Sequence, residues 1–266
     1  MLRDGEFGCP WDLEQSLRSL IPHTIEEVYE VVDAIERDDM VDLEDELGDL
    51  LFQVVFYAQI ATEREQFDFD AVAAAITRKL IRRHPHVFPG GTLEGFGRKS
   101  EISSEQVLVN WETIKQQERE EKRRRQGGAQ ENQAQESVLD DIPKALPALE
   151  RARKLQKRAA NYGFDWETVG PVLAKLKEEI EEFESALAAG DNAHAEAELG
   201  DILFASVNLA RHSGIESESA LRGANKRFDA RFRWIEARLK SQGKVLEKTE
   251  LSELELLWQQ AKASGL

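Results

Sequence analysis

Glu46-Leu47-Gly48-Asp49 and Glu198-Leu199-Gly200-Asp201 are the same four residues written twice, 152 positions apart. Moving outward from them, Glu26, Glu27 and Glu30 return with the same offset as Glu178, Glu179 and Glu182. The quartet Glu27, Glu30, Glu46 and Asp49 therefore has a complete second copy in Glu179, Glu182, Glu198 and Asp201. A constant offset at every member marks a duplicated functional unit, because surface charge accumulates without keeping register.

At about 3.6 residues per turn, Glu27 and Glu30 fall one turn apart on one helical face, and Glu46 and Asp49 do the same on the next helix. Glu26, Glu27 and Glu30 repel one another on a lone helix by a few tenths of a kcal/mol per pair. A divalent cation between the two helices reverses that repulsion. Hard oxygen ligands with no nearby Cys or His pairing favour magnesium, or manganese, over zinc. A single Glu-Glu-x-x-Glu is otherwise an ordinary solvated face. Two features separate this chain from that case: the repetition, and the apolar runs Leu50 to Phe56 and Ile202 to Phe204 that follow the acids. Those runs are apolar almost all round and predict a buried helix, on which carboxylates require a partner.

The rest of the chain reads as all-α. Its 266 residues suggest two domains of ordinary size. A charged fraction of 32%, only seven prolines and few alternating β-branched runs favour helix. The single cysteine, Cys9, excludes an intramolecular disulfide. The segment Met1-Leu2-Arg3-Asp4-Gly5-Glu6 has no apolar signal region, and the longest apolar stretch is far short of a membrane span. A soluble, cytoplasmic protein without a membrane partner is expected. A net charge of -16 repels polyanions, so no nucleic-acid partner is expected either.

Residues 126–137 contain two adjacent glycines and a polar run that cannot pack, which predicts a flexible linker between domains 1–125 and 138–266. The basic cluster Lys122-Arg123-Arg124-Arg125 before it follows Glu118, Glu120 and Glu121 and reads as a solvated helix end. In the first half, helices are expected over about 25–37, 42–63, 70–83 and 105–125, with Asp68 or Asp70 as a cap. In the second half they are expected from about Pro171 to Ala188, then over 194–212, 217–242 and 251–263, with Gly190-Asp191 as the turn. Each half is thus a helical bundle with the acids at its centre.

These elements, together with the Gly8-Cys9-Pro10-Trp11-Asp12 entry and the tandem arrangement, resemble the MazG family of the all-α NTP pyrophosphatase superfamily. The resemblance covers nearly the whole chain, the linker excepted. It implies magnesium-dependent hydrolysis of nucleoside triphosphates to monophosphate and pyrophosphate, with broad base tolerance, and a homodimer whose bundles are completed across a two-fold axis. Physical reasoning agrees: an acidic site holds a triphosphate only with cations between the two.

Basic groups must then meet the phosphates that the cation leaves uncovered. Asn225, Arg227 and Arg231 resemble the family's Asn-x-Lys/Arg-Phe-x-x-Arg segment, and Trp258 with Lys262 its terminal Trp-x-x-x-Lys that flanks the nucleotide. Lys175, four before Glu179, and Glu178 complete the expected nucleotide contacts. His194, on the same face as Glu198, stands where some relatives carry lysine, which weakens phosphate contact there or makes it pH-dependent. The first copy keeps Trp111 with Lys115 and Lys79 with Arg83, yet has Thr77 where Asn225 aligns once a four-residue insertion in the preceding loop is allowed. The second copy is therefore expected to carry most of the catalysis, through Glu179, Glu182, Glu198 and Asp201, and the first to bind metal, through Glu27, Glu30, Glu46 and Asp49, with weaker or different activity. The competing class is a non-catalytic, metal-stabilised helical scaffold for a protein partner, which gives no reason for the basic and aromatic residues. A di-iron bundle wants Glu-x-x-His, and no motif acid has that histidine.

Overall fold

The computed structural model describes residues 1–97, 102–126, 137–140 and 142–266. Residues 127–136, almost the whole of the expected linker, lie outside the described residues, as do the side chains of the Lys122 to Arg125 cluster. The chain divides into two compact units, Met1–Glu131 and Asn132–Leu266. Among the described residues there is no β-strand.

The first unit contains α1 (Pro10–Glu14), α2 (Ile21–Glu36), α3 (Met40–Glu63), α4 (Phe69–Arg83) and α5 (Ser104–Gln126). The second contains α6 (Ala148–Ala160), α7 (Val169–Ala189), α8 (Asn192–His212), α9 (Ser217–Ser241) and α10 (Leu251–Ala263). In each unit the acid-bearing helices form a tight hairpin, α2 with α3 and α7 with α8. The hairpin turns have a local cause. Gly190 takes the left-handed conformation at φ 71°, and Asp38 takes it at φ 57° at the matching position of the first unit. One residue later, Asp191 accepts from the His194 N–H at 3.0 Å, and Asp39 accepts from the Asp42 N–H at 3.1 Å. Each cap satisfies a backbone donor that the helix start leaves open. Asp68 caps α4 in the same way, accepting from the Ala71 N–H at 2.8 Å.

The entry segment closes on itself. The Cys9 N–H donates to the Leu2 carbonyl at 2.8 Å, and a Cβ at Gly8 would stand 2.4 Å from the Asp4 carbonyl oxygen. Only glycine fits there. Arg3 then reaches across to Glu63 at the end of α3, at 2.7 Å.

Three expectations are corrected. α2 begins at Ile21 rather than near 25, because Pro22 is compatible with the first turn and starts the helix earlier. α1 and α6 were not anticipated; α6 is a two-faced helix that brings Leu155, Gln156 and Ala159 onto the second unit's hairpin. The runs after the acids are not buried all round: Gln53 and Phe56 are, but Leu51 is 56% exposed and Leu203 52% exposed. One face of α3 and one of α8 turn outward within the single chain.

Candidate active site on the acid-bearing hairpins

In the second unit, α7 and α8 bring Glu179, Glu182 and Glu198 together, one oxygen from each lying within 4.8 Å of the others. Asp201, one turn after Glu198, stands outside this trio and instead lines an adjoining cavity. Glu179 and Glu198 are buried, Glu179 to 6% exposure, whereas Glu182 is exposed. Buried carboxylates require compensation. Lys175 supplies it to Glu179 at 2.9 Å and also reaches Glu178 at 2.8 Å. The hydrogen bonds to Glu178 and Glu179 hold the Lys175 ammonium well above the usual lysine range. Glu198 lies 2.9 Å from His194 Nε2, which the four-residue spacing places on the same face. The Glu182 carboxyl is pushed up by desolvation first, then by its hydrogen bond with Glu179 and by the charge of Glu198. Like charges held together in this way are discharged by a cation. The donor set is all oxygen, and this fits a hard divalent ion.

The acids open onto a cavity of about 510 Å³, whose polar end is Lys175, Glu179 and Asp201. Its volume is that of a small-molecule site. Phe164, Trp166 and Phe204 are among the other lining residues, together with Asp165 and Arg211. Arg211 donates to Asp165 at 2.8 and 2.5 Å, and His212 lies 2.9 Å away. The Arg211 and His212 contacts hold the Asp165 carboxyl far below the usual carboxylate range. Reading the sequence missed the α6 and 163–166 walls of the cavity. The signal was the apolar spacing Leu149, Ala152, Leu155, Ala159 after Pro147.

Arg231 and Trp258 meet at the corner of α9 and α10, the guanidinium lying 5.4 Å from the ring centroid. Phe228 packs against the same ring at 5.3 Å, and Arg231 donates to the Leu266 carbonyl at 2.8 Å. Arg231 and Trp258 of the basic and aromatic set are thus in contact, while Asn225, Arg227 and Lys262 are exposed on the same two helices.

The first unit repeats the acids with a different trio: Glu27, Glu46 and Asp49, again within 4.8 Å, with Glu30 left outside. Desolvation first, then Glu46 and Glu27, raises the Glu30 carboxyl; desolvation first, then Asp42 and Asp49, raises that of Glu46. What surrounds the acids differs. Val172, Ala205 and Asn208 line the second unit's cavity, and their counterparts 152 positions earlier are Leu20, Gln53 and Phe56. All six residues are buried, and in the first unit Leu20 and Phe56 pack together with Ile60 while Gln53 donates to Glu27 at 3.2 Å. His23 replaces Lys175. Arg83 is held by Glu118 at 2.5 Å, and Lys115 lies over the Trp111 ring at 5.9 Å.

A family model described as the MazG nucleotide pyrophosphohydrolase domain matches residues 15–88 and 167–235, one segment in each unit. A protein of Escherichia coli K12 named nucleoside triphosphate pyrophosphohydrolase is 51% identical over 98% of this chain and 93% of its own length. One of Thermotoga maritima, named nucleoside triphosphate pyrophosphohydrolase/pyrophosphatase MazG, is 40% identical over 98% of this chain and 91% of its own. The uncharacterized protein YabN of Bacillus subtilis is 42% identical over 97% of this chain but only 49% of its own length.

Proposed function

The chain belongs to the MazG nucleotide pyrophosphohydrolase family, and from that premise we propose that it hydrolyses nucleoside triphosphates, ribo or deoxy and with broad base tolerance, to monophosphate and pyrophosphate. The observation that carries the reading is the sharing of Glu179 between the carboxylate trio and a largely apolar cavity. The trio takes the metal-bound phosphates and the cavity takes the base.

Glu179, Glu182 and Glu198, with Asp201 beside them, would hold magnesium, or manganese. When bound, such an ion neutralises phosphate charge and lowers the pKa of a bound water. The chain's own groups do the rest. Lys175, at the polar end of the cavity, turns its ammonium from Glu178 and Glu179 toward a phosphate oxygen when the triphosphate arrives. Trp166 and Phe164, among the cavity's lining residues, offer apolar surface to the base. A water oxygen bonds to the α-phosphorus as the bond to the α–β bridging oxygen breaks, pyrophosphate leaves, and a carboxylate of the cluster accepts the water's proton.

Most of the catalysis belongs to the second unit on this reading. In the first, the larger side chains of Leu20, Gln53 and Phe56 stand where Val172, Ala205 and Asn208 stand in the second, which supports weaker or different activity there.

The active form is a homodimer. Ile21, Val28 and Ile35 recur seven residues apart as an exposed apolar row on α2, and Leu173, Ile180 and Leu187 repeat it on α7. Leu47 with Leu51, and Leu199 with Leu203, add to it on α3 and α8. Repeated apolar rows of this kind are covered by a second copy more often than by water.

The test is a panel of NTPs and dNTPs with magnesium, resolved by product. Monophosphate and pyrophosphate support the reading. Diphosphate and orthophosphate, or no turnover of any member, would remove it and favour the scaffold.

A further inference from the structure

Arg211, in the last turn of α8, and Asp165, in the segment between α6 and α7, both line the cavity. The guanidinium donates to both carboxylate oxygens of Asp165, at 2.8 and 2.5 Å. A bidentate fork of this kind fixes a carboxylate in direction as well as in distance. The two side chains are 18% and 25% exposed, so the pair is sheltered and unlike the solvated surface pairs that add little. Arg211 is itself braced on α8: it donates to Asn208 Oδ1 from Nε at 3.0 Å and from Nη2 at 2.7 Å. Asn208 is buried one turn earlier on the helix and lines the same cavity.

Asp165 stands between Phe164 and Trp166, which line the cavity beside it. Burial does little to hold those two rings, since Phe164 is 84% exposed and Trp166 42% exposed. The next helix does not anchor them through a cap either, because Thr168 at the N-cap of α7 makes no side-chain cap hydrogen bond. Resting on the reading of this cavity as the base site, we infer that Arg211 is a positioning residue: by gripping Asp165 it sets Phe164 and Trp166 against the cavity before the nucleotide arrives. A wall held in place in advance binds without first having to be ordered. The polar groups of the pair are engaged with each other, so what the base meets is apolar ring surface, and the effect is the same for every base.

Steady-state pyrophosphate release from ATP and from CTP is measured for the wild type, Arg211→Met, Arg211→Lys and Asp165→Asn. Arg211→Met is expected to raise KM about tenfold for both substrates while kcat stays within about twofold, with Arg211→Lys recovering part of the loss. Asp165→Asn, which keeps the size of the side chain, is expected to repeat the rise and decides the matter where Arg211→Met does not fold. An unchanged KM, a loss carried by kcat, or a rise confined to one base overturns the proposal. If the wild type releases pyrophosphate from neither, the hydrolase reading has failed, and calorimetric binding of ATP and CTP with magnesium then decides the role of Arg211 separately. Binding about tenfold weaker in Arg211→Met supports that role; equal binding, or none by either protein, overturns it.

Discussion

Lys175 Nζ lies 2.9 Å from a carboxylate oxygen of Glu179, one helical turn away and buried. This one ammonium offsets part of the charge that Glu179, Glu182 and Glu198 concentrate. Lys175→Met is therefore predicted to act in two directions. The cation should bind more tightly, because a competing positive charge is gone, while KM for a nucleoside triphosphate should rise about tenfold with the loss of a charge-assisted contact. Calorimetric magnesium titration and steady-state kinetics on the same variant check both signs.

The exposed rows on α7 and α8 predict the assembly state. Leu203→Glu places a charge on a face that is half exposed in the single chain and should be tolerated by the fold. Sedimentation at micromolar concentration is expected to give a dimer for the wild type and a monomer for the variant. A wild-type monomer would remove the dimer.

Glu216 predicts a pH dependence. Desolvation works against its charge, but the backbone N–H groups of Ser219, at 2.6 Å, and Glu218, at 3.2 Å, prevail and hold its pKa at about 2. An unfolded glutamate titrates at about 4.3. The folded pKa is the lower, so the contribution is present above about pH 4 and is lost as pH falls toward about 2. Glu216→Gln should lower stability at pH 7 by up to about 1 kcal/mol through the start of α9. The gap in thermal midpoint between wild type and variant should then shrink steadily with acidification.

The two hairpin turns predict opposite outcomes from matched substitutions. Gly190→Ala puts a Cβ on a left-handed residue that has open space around it, so the cost is conformational, about 1 kcal/mol. Asp38→Gly relieves the same conformation in the first unit and should be neutral to mildly stabilising, by about 0.5 kcal/mol. Urea unfolding of both variants measures the pair.

The acid-bearing helices and the Asp68 cap were legible in the sequence because their causes are local, whereas Asp39 and Asp191 read only as turn residues and prove to be caps as well. The hairpin pairing of the acids followed from periodicity for the same reason. Which three of the four converge did not, since it depends on how each helix is rotated about its axis in the packed pair; Asp201 is left out in one unit and Glu30 in the other. The cavity was invisible because it is made by residues from α6, the 163–166 segment and α8 that are distant in sequence. The outward faces of α3 and α8 read as core because their runs are apolar almost all round, and hydropathy alone does not say which face turns outward.

On the proposed function the second unit's carboxylates perform most of the chemistry and the first unit's contribute less. Pyrophosphate release from a nucleoside triphosphate by Glu182→Gln and Glu30→Gln, each compared with the wild type at saturating magnesium, tests it most directly. The account predicts a loss of about 100-fold or more in kcat for Glu182→Gln and near wild-type turnover for Glu30→Gln. Loss of pyrophosphate release in Glu30→Gln with retention in Glu182→Gln would contradict it.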